Sequence, residues 1–100
     1  YQVVQTRKTN PQEGSYTCYL FEKGLDKILK KVGEECAETI IAAKNGVQDE
    51  TVGEVSDLLY HLMVMLVQQN IPLESVLEEL DRRSLKIGNL KQMRVTDRNT

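Results

Sequence analysis

Histidine occurs once and cysteine only twice among the 100 residues of this chain. Cys18 and Cys36 lack a paired spacing, which disfavours both a disulfide framework and a cysteine metal site. His61 has no serine or cysteine partner evident in the sequence, so nucleophilic catalysis has no support. Reduced thiols, together with the absence of a signal-peptide pattern, predict a cytoplasmic protein.

Long apolar runs and a large excess of one charge are also missing. No apolar stretch approaches the roughly 20 residues that a membrane span requires. Lys and Arg number 13 against 15 Asp and Glu, and this near balance argues against binding nucleic acid or membranes through bulk charge. A strand pattern, an internal repeat and a glycine-rich phosphate loop are absent. We therefore expect one all-α domain over residues 1–100, with its core at about 4–88 and a polar tail at 89–100.

Helical periodicity covers most of the chain. The segment 50–69 is apolar nearly all round past Tyr60, so it should be buried on most sides. A chain of this size supplies little surface for that burial, which indicates a helical bundle completed by homodimerisation. We predict four helices. The first follows a cap at Ser15 or Thr17, and the second spans 24–44 and is ended by Gly46. The third spans 50–69, between a cap at Asp49 and an end at Asn70, and the fourth runs from 73 to about 87, between Pro72 and a stop at Gly88-Asn89. Residues 1–8 are either the end of a helix or an extended arm.

Two acidic clusters stand at helical spacing on either side of a predicted turn at 45–49. Glu35 and Glu38 are three residues apart, as are Glu54 and Asp57, so each pair shares one helix face. Two antiparallel helices would bring the clusters face to face, where four carboxylates repel one another. Hard cations such as Mg²⁺ relieve such repulsion. The pattern predicts a divalent-cation site across a helical hairpin.

An ordinary solvated helix face is the alternative interpretation of these acids. Lys31 could simply pair with Glu35 one turn later. However, Glu54 and Asp57 adjoin apolar positions instead of lying opposite them, which is costly unless the acids bind something.

Three lysines near the acids are candidates for holding phosphate oxygens: Lys27, Lys30 and Lys31. Without a nearby metal site they would be solubilising residues only. Tyr16 is expected mainly to pack, with contact to a base or ribose as the alternative. His61 is expected to be a core residue, or to support the metal ligands without binding the metal itself.

The motif Glu34-Glu35-x-x-Glu38 followed by Glu54-x-x-Asp57 resembles that of the MazG-like all-α nucleoside triphosphate pyrophosphohydrolases. Within that superfamily the chain is similar to the phosphoribosyl-ATP pyrophosphohydrolases of histidine biosynthesis. The similarity extends from about residue 4 to 84 and rests on further segments: Gly14-Ser15-Tyr16-Thr17, Leu20-Phe21-Glu22-Lys23-Gly24, Asp57-Leu58-Leu59-Tyr60-His61-Leu62 and Leu80-Asp81-Arg82-Arg83.

The resemblance implies Mg²⁺-dependent hydrolysis of the α–β phosphoanhydride of phosphoribosyl-ATP, yielding phosphoribosyl-AMP and pyrophosphate. It implies that Glu34 orients or deprotonates the attacking water. The implied metal ligands are Glu35, Glu38, Glu54 and Asp57. The implied substrate-binding residues are Tyr16, Lys27, Lys30, Lys31, Arg82 and Arg83, with the two arginines acting within their own chain or across a dimer. The partner is then a small ATP-like nucleotide.

Two other functions remain as alternatives. A house-cleaning pyrophosphohydrolase of the same superfamily would act on non-standard nucleotides. A helical dimerisation module without catalysis would carry the acids only as solvated side chains.

Overall fold

In the computed structural model, residues 1–85 are described and form five α-helices, with no β-strand among them. This confirms the all-α prediction. The predicted polar tail and the stop at Gly88-Asn89 lie outside the described residues. The helices are α1 (Gln2–Thr9), α2 (Tyr16–Lys23), α3 (Leu25–Asn45), α4 (Gln48–Gln68) and α5 (Leu73–Ser84).

The predicted Ser15 cap of α2 and the predicted Gly46 stop of α3 are confirmed, and α3 begins and ends within one residue of its predicted bounds. Ser15 is the N-cap of α2, and its side-chain oxygen accepts a hydrogen bond from the Cys18 backbone N–H at 3.2 Å. Gly46 ends α3 in the left-handed conformation, with φ 74° and ψ 15°. Residues 46–47 then reverse the chain, so α3 and α4 pack as an antiparallel hairpin.

The predicted cap of α4 is wrong. Val47 occupies the N-cap position without a side-chain hydrogen bond, and Asp49 lies inside the first turn. The reversal at Gly46 is so tight that the helix begins at Gln48, before Asp49 can cap it. A carboxylate in the first turn still interacts favourably with the helix dipole.

The other helix ends differ from prediction by small shifts. Residues 2–9 form helix α1, so the helical one of the two alternatives for residues 1–8 is confirmed. Asn70 follows α4 with φ 59°, and Pro72 lies at the N-cap of α5 instead of within its first turn. Helix α5 ends at Ser84, a few residues before the predicted end, and there the Ser84 hydroxyl donates to the Asp81 carbonyl.

The core lies where α1 and α2 cover the first half of α3 and the second half of α4. Leu20, Ile28 and Val64 have no solvent-accessible surface, and Val4 and Val67 pack beside them. This core holds α2 against the α3–α4 hairpin and so fixes where the α2 N-terminus meets α4.

The turn half of the hairpin and α5 keep large apolar side chains exposed in the single chain. On α3, Ile28 is fully buried, but Ile40 is 70% exposed. The prediction that α4 is buried on most sides holds only for its second half, since Leu59 is 51% exposed. Helix α5 has no buried residue. We call these exposed side chains the apolar rows: Ile40 and Ile41 on α3, Val52, Val55 and Leu59 on α4, and Val76, Leu77 and Leu80 on α5.

None of the helices within residues 1–85 combines the length and the hydropathy needed to cross a membrane.

Candidate metal centre

Three carboxylates meet between α3 and α4. Glu35 and Glu38 project from α3 and Glu54 from α4, and one oxygen of each lies within 4.8 Å of the others. The helical spacing places Glu35 and Glu38 on one side of α3, and the antiparallel hairpin brings Glu54 opposite them. The acidic clusters of the two helices therefore face each other as the spacing predicts.

Two oxygens of this group are buried without a hydrogen-bond partner in the described part of the chain: Oε2 of Glu35 and Oε2 of Glu54. A buried carboxylate oxygen left in this state is unfavourable, because it has lost water and gained nothing in exchange. The Thr39 hydroxyl lies beside them, 2.7 Å from the Glu35 carbonyl and 3.3 Å from the Glu54 carbonyl. Thr39 thus joins the backbones of both helices at the level of the carboxylates.

The pKa values of two glutamates in this group are raised above their ordinary value. Burial raises the pKa of Glu35 above its ordinary value, and the neighbouring Glu38 and Asp57 raise it further. The pKa of Glu54 is raised first by the adjacent Glu38 carboxyl, and then by burial and the other nearby acids. Asp57 lies outside the group of oxygens within 4.8 Å but acts electrostatically on both glutamates. Negative charge is concentrated here beyond what the protein alone neutralises.

These residues fit a hard divalent cation. Mg²⁺ binds oxygen ligands at about 2.1 Å, so two ligands of one ion are separated by at most about 4.2 Å. Carboxylate oxygens within 4.8 Å of one another need only small side-chain movements to reach this separation. A donor set of carboxylates, without histidine or cysteine, suits Mg²⁺ or Mn²⁺ better than softer metals.

Glu34 and Lys31 form a pair at the edge of the centre. The Lys31 Nζ atom lies 3.4 Å from Glu34 Oε2, and this contact raises the pKa of Lys31 above its ordinary value. Glu34 is not one of the three converging carboxylates. Lys27 lies one turn before Lys31 on α3 and is half-buried, and Lys30 directly precedes Lys31 and is exposed. Glu34 therefore lies outside the three converging carboxylates and contacts Lys31 instead.

Tyr16 and His61 touch each other beside this centre. The Tyr16 hydroxyl lies 3.1 Å from His61 Nε2, and His61 Nδ1 lies 2.7 Å from the Asp57 carbonyl oxygen. Tyr16 stacks on Tyr60 with ring centres 6.2 Å apart. Thr17 and Tyr60 form a second hydrogen bond between α2 and α4, in this case between two hydroxyl groups. Two adjacent side-chain pairs thus fasten the start of α2 onto α4.

Arg82 and Arg83 lie at the exposed end of α5 and both pair with Glu79. Their hydrogen bonds to Glu79, together with their charges, lower the pKa of that carboxyl to about 2. The structure does not bring either arginine into the carboxylate group of its own chain. Their contact with substrate stays a prediction.

Comparison with known proteins bears on what this site does. The family described as phosphoribosyl-ATP pyrophosphohydrolase matches residues 1–84. This chain belongs to that family. The family resemblance drawn from the sequence is therefore confirmed.

Relatives within the family are similar along most of the chain. A phosphoribosyl-ATP pyrophosphatase of Listeria monocytogenes serotype 4b is 58% identical over 91 residues, which are 91% of this chain and 87% of that protein. Its counterpart from Clostridium botulinum (strain Kyoto / Type A2) is 54% identical over 96 residues, 96% of this chain and 87% of that protein. The histidine biosynthesis bifunctional protein HisIE of Caldanaerobacter subterraneus subsp. tengcongensis is 63% identical over 86 residues, 86% of this chain. This chain spans 42% of that bifunctional relative.

Two residues beside the carboxylates, Thr39 and Glu50, were not predicted from the sequence. Thr39 stands four residues after Glu35, the spacing at which a threonine hydroxyl reaches back to a helix carbonyl, but its second contact crosses to another helix. Glu50 lines a cavity of about 170 Å³ that opens beside Glu38 and Glu54. Its position one turn before Glu54 was visible in the sequence.

Proposed function

We propose that this chain hydrolyses the α–β phosphoanhydride of phosphoribosyl-ATP to phosphoribosyl-AMP and pyrophosphate, a step of histidine biosynthesis. The observation that carries the proposal is the convergence of the carboxylates of Glu35, Glu38 and Glu54. Two of their oxygens are buried and have no hydrogen-bond partner within the described residues. This convergence occurs in a chain whose relatives are named phosphoribosyl-ATP pyrophosphatases. An anionic substrate and a concentrated acidic site are compatible only if cations lie between them.

Mg²⁺ is the cofactor that we assign to this reaction. Glu35, Glu38 and Glu54 would hold it, with Asp57 completing the set, because its charge already acts on two of them. When bound, the ion neutralises phosphate charge and lowers the pKa of coordinated water.

The side chains around the carboxylates supply the rest of the chemistry. Glu34, oriented by Lys31, accepts the proton of the attacking water. The water oxygen forms a new bond to phosphorus as the bond to the bridging oxygen breaks, and pyrophosphate leaves. Lys31, with Lys27 and Lys30, holds phosphate oxygens. The neighbouring acids, Glu34 first, raise the pKa of Lys31 and so keep its side chain positively charged. The chain therefore contributes positioning and electrostatics and needs no covalent intermediate.

A homodimer is part of the same proposal. The apolar rows of α3, α4 and α5 are exposed in the single chain, and α5 buries none of its residues within it. Exposed apolar surface of this kind is unusual for a monomer. Dimerisation would also offer Arg82 and Arg83 a route to the other chain's substrate. We place the enzyme in the cytoplasm, where its two free thiols stay reduced.

Substrate choice separates this proposal from house-cleaning hydrolysis of non-standard nucleotides. Pyrophosphate release should be measured with Mg²⁺ on phosphoribosyl-ATP and on a panel of non-standard deoxynucleoside triphosphates, as kcat/KM for each. The proposal expects phosphoribosyl-ATP to exceed every member of the panel by at least about a hundredfold. A panel member that is turned over better would transfer the assignment to the house-cleaning activity. A chain inactive on all of them would favour the non-catalytic dimerisation module.

A further inference from the structure

His61 is the only histidine of the chain and the one buried polar side chain among the residues that the structure describes. Its Nδ1 atom lies 2.7 Å from the Asp57 backbone carbonyl oxygen. A carbonyl oxygen can only accept a hydrogen bond, so Nδ1 must carry the hydrogen. In the neutral imidazole, Nε2 is then left with a lone pair and no hydrogen.

This tautomer decides the direction of the next hydrogen bond. The Tyr16 hydroxyl is 3.1 Å from His61 Nε2, and it must donate its only hydrogen there. The Tyr16 oxygen therefore presents lone pairs alone to whatever approaches from outside. An oxygen in this state accepts hydrogen bonds from hydroxyl or amino groups, and it repels phosphate oxygens.

The Tyr16 ring is held so that this oxygen has a fixed direction. Tyr19 and Tyr60 stack on it at centre distances of 6.1 and 6.2 Å, and the His61 ring meets it edge-on at 5.8 Å. The Ser15 cap fixes the first turn of α2, in which Tyr16 stands. Tyr16 is nevertheless 45% exposed, so a ligand can reach it.

Two hydrogen bonds place Tyr16 next to the candidate metal centre. Its hydroxyl lies 3.1 Å from His61 Nε2, and His61 Nδ1 lies 2.7 Å from the backbone carbonyl of Asp57, one of the acids of that centre. In keeping with this position, the pKa of Tyr16, which burial raises, is also lowered by the Lys31 ammonium and raised by the Glu35 carboxylate. A substrate whose phosphates lie at Lys31 and Glu35 therefore places the adjoining part of its structure at Tyr16.

We propose that the Tyr16 oxygen, fixed as an acceptor by His61, takes a hydrogen bond from a hydroxyl of the ribose that carries the triphosphate. This rests on the proposed function, since it concerns the substrate of that reaction. This ribose is esterified directly to the α-phosphate. Its hydroxyls are therefore the uncharged hydrogen-bond donors of the substrate that lie nearest to the triphosphate. Tyr16 is then a specificity-determining residue, and His61 is a positioning residue that acts through it.

The free protein tests the first half of this inference without any substrate. With a tag-free chain, ¹⁵N resonances of the imidazole belong to His61 alone. At a pH where the ring is neutral, the proposal expects hydrogen on Nδ1 and a bare Nε2, and Tyr16→Phe should shift the Nε2 resonance while Nδ1 keeps its hydrogen. Hydrogen on Nε2, or an Nε2 resonance that Tyr16→Phe leaves unmoved, would overturn the proposal.

Kinetics test the second half. Tyr16→Phe removes the acceptor and should raise KM for phosphoribosyl-ATP about fivefold to tenfold with kcat nearly unchanged, because one neutral hydrogen bond is lost in ground and transition states alike. For either the 2′-deoxy or the 3′-deoxy form of that ribose, the same substitution should change KM less than about twofold. An equal loss on the substrate and on both deoxy forms overturns the proposal.

Two substitutions at His61 separate positioning from mere packing. The Gln amide reaches where Nε2 lies and can still accept from Tyr16, whereas the Asn amide reaches only where Nδ1 lies and keeps the Asp57 carbonyl bond. His61→Asn should raise KM as Tyr16→Phe does, and should likewise lose the discrimination between phosphoribosyl-ATP and its deoxy form. His61→Gln should retain most of that discrimination. The ratio between substrate and deoxy form does not depend on the fraction of folded enzyme. Equal ratios in the two variants would overturn the role of His61.

These outcomes are distinct from failure of the proposed function. A wild-type chain that releases no pyrophosphate from phosphoribosyl-ATP contradicts the function and the ribose contact together. An active wild-type chain with a Tyr16→Phe loss that ignores the ribose hydroxyls contradicts the ribose contact alone.

Discussion

Glu35 on α3 and Glu54 on α4 face each other across the hairpin, each with a buried Oε2 atom that has no hydrogen-bond partner within residues 1–85. Thr39 ties the backbones of both residues together at the same level. The fold thus holds two carboxylates in opposition and removes one oxygen of each from water. An arrangement that is unfavourable for the protein alone is favourable for one that binds a cation.

Mg²⁺ should stabilise the folded chain. At a concentration 100 times its dissociation constant, a ligand that binds only the folded state adds about 2.7 kcal/mol to the free energy of unfolding. For a domain of this size, the melting temperature should rise by roughly 10–20 °C. Differential scanning fluorimetry with Mg²⁺, against potassium chloride of equal ionic strength, measures this. Glu54→Gln should lose most of the rise, and a wild-type melting temperature indifferent to Mg²⁺ would contradict the metal assignment.

Without divalent cations, acidification should relieve the repulsion at Glu35 and Glu54. Their pKa values in the folded state are raised above the ordinary 4.5, so between those values the folded state binds more protons than the unfolded state. The free energy of unfolding therefore falls as the pH rises through this window, and the destabilisation is complete above it. In the presence of a chelator, Glu35→Gln should melt higher than wild type at neutral pH, and the gap should close as the pH falls towards 4.5. A gap that is independent of pH, or of opposite sign at neutral pH, would contradict the assignment.

Acidic substitutions in the apolar rows should break the homodimer. Leu59 on α4 and Leu80 on α5 are 51% and 56% exposed in the single chain. A buried glutamate at either position would face apolar surface, so Leu59→Glu and Leu80→Glu should sediment as monomers at micromolar concentrations at which wild type is dimeric. Val3→Glu is the matched control, because Val3 on α1 is 67% exposed and lies outside the apolar rows. Wild type that sediments as a stable monomer would refute the dimer.

Two glycines should respond to alanine in opposite directions. Gly46 has φ 74°, which alanine adopts only with strain, so Gly46→Ala should lower the free energy of unfolding by about 1 kcal/mol. Gly33 lies inside α3 with open space where a Cβ would project, so Gly33→Ala should raise it by about 0.5–1 kcal/mol. Urea unfolding of the metal-free protein measures both. Changes of the same sign would contradict the assigned end of α3.

The carboxylate centre could be predicted from the sequence because its geometry is local. Helical spacing alone places Glu35 beside Glu38, and a glycine-containing turn of a few residues leaves an antiparallel hairpin as the simple outcome. The Gly46 stop follows from the same kind of local rule. Asp49 shows where such rules fail. It is a good capping residue, but the turn closes two residues earlier and Val47 takes the N-cap position.

The contacts at Tyr16 could not be predicted in the same way. The bonds from Tyr16 to His61 and from Thr17 to Tyr60 join residues 45 and 43 positions apart, and no periodicity relates them. They exist because Leu20 and Ile28 pack into the core and bring α2 onto α4. The second contact of Thr39, to the Glu54 carbonyl, likewise depends on how two helices are placed. The apolar rows need a partner surface, which one chain's sequence does not contain.

The most direct test of the account is pyrophosphate release from phosphoribosyl-ATP in the presence of Mg²⁺ by wild type, Glu38→Gln and the control Glu22→Gln. Glu38 is one of the three converging carboxylates, while Glu22 is exposed on α2 outside them. The account predicts release by wild type and Glu22→Gln and a loss of at least about a hundredfold in Glu38→Gln, because one charged ligand is gone. Full activity in Glu38→Gln would contradict the assignment of the carboxylate group as the catalytic metal centre.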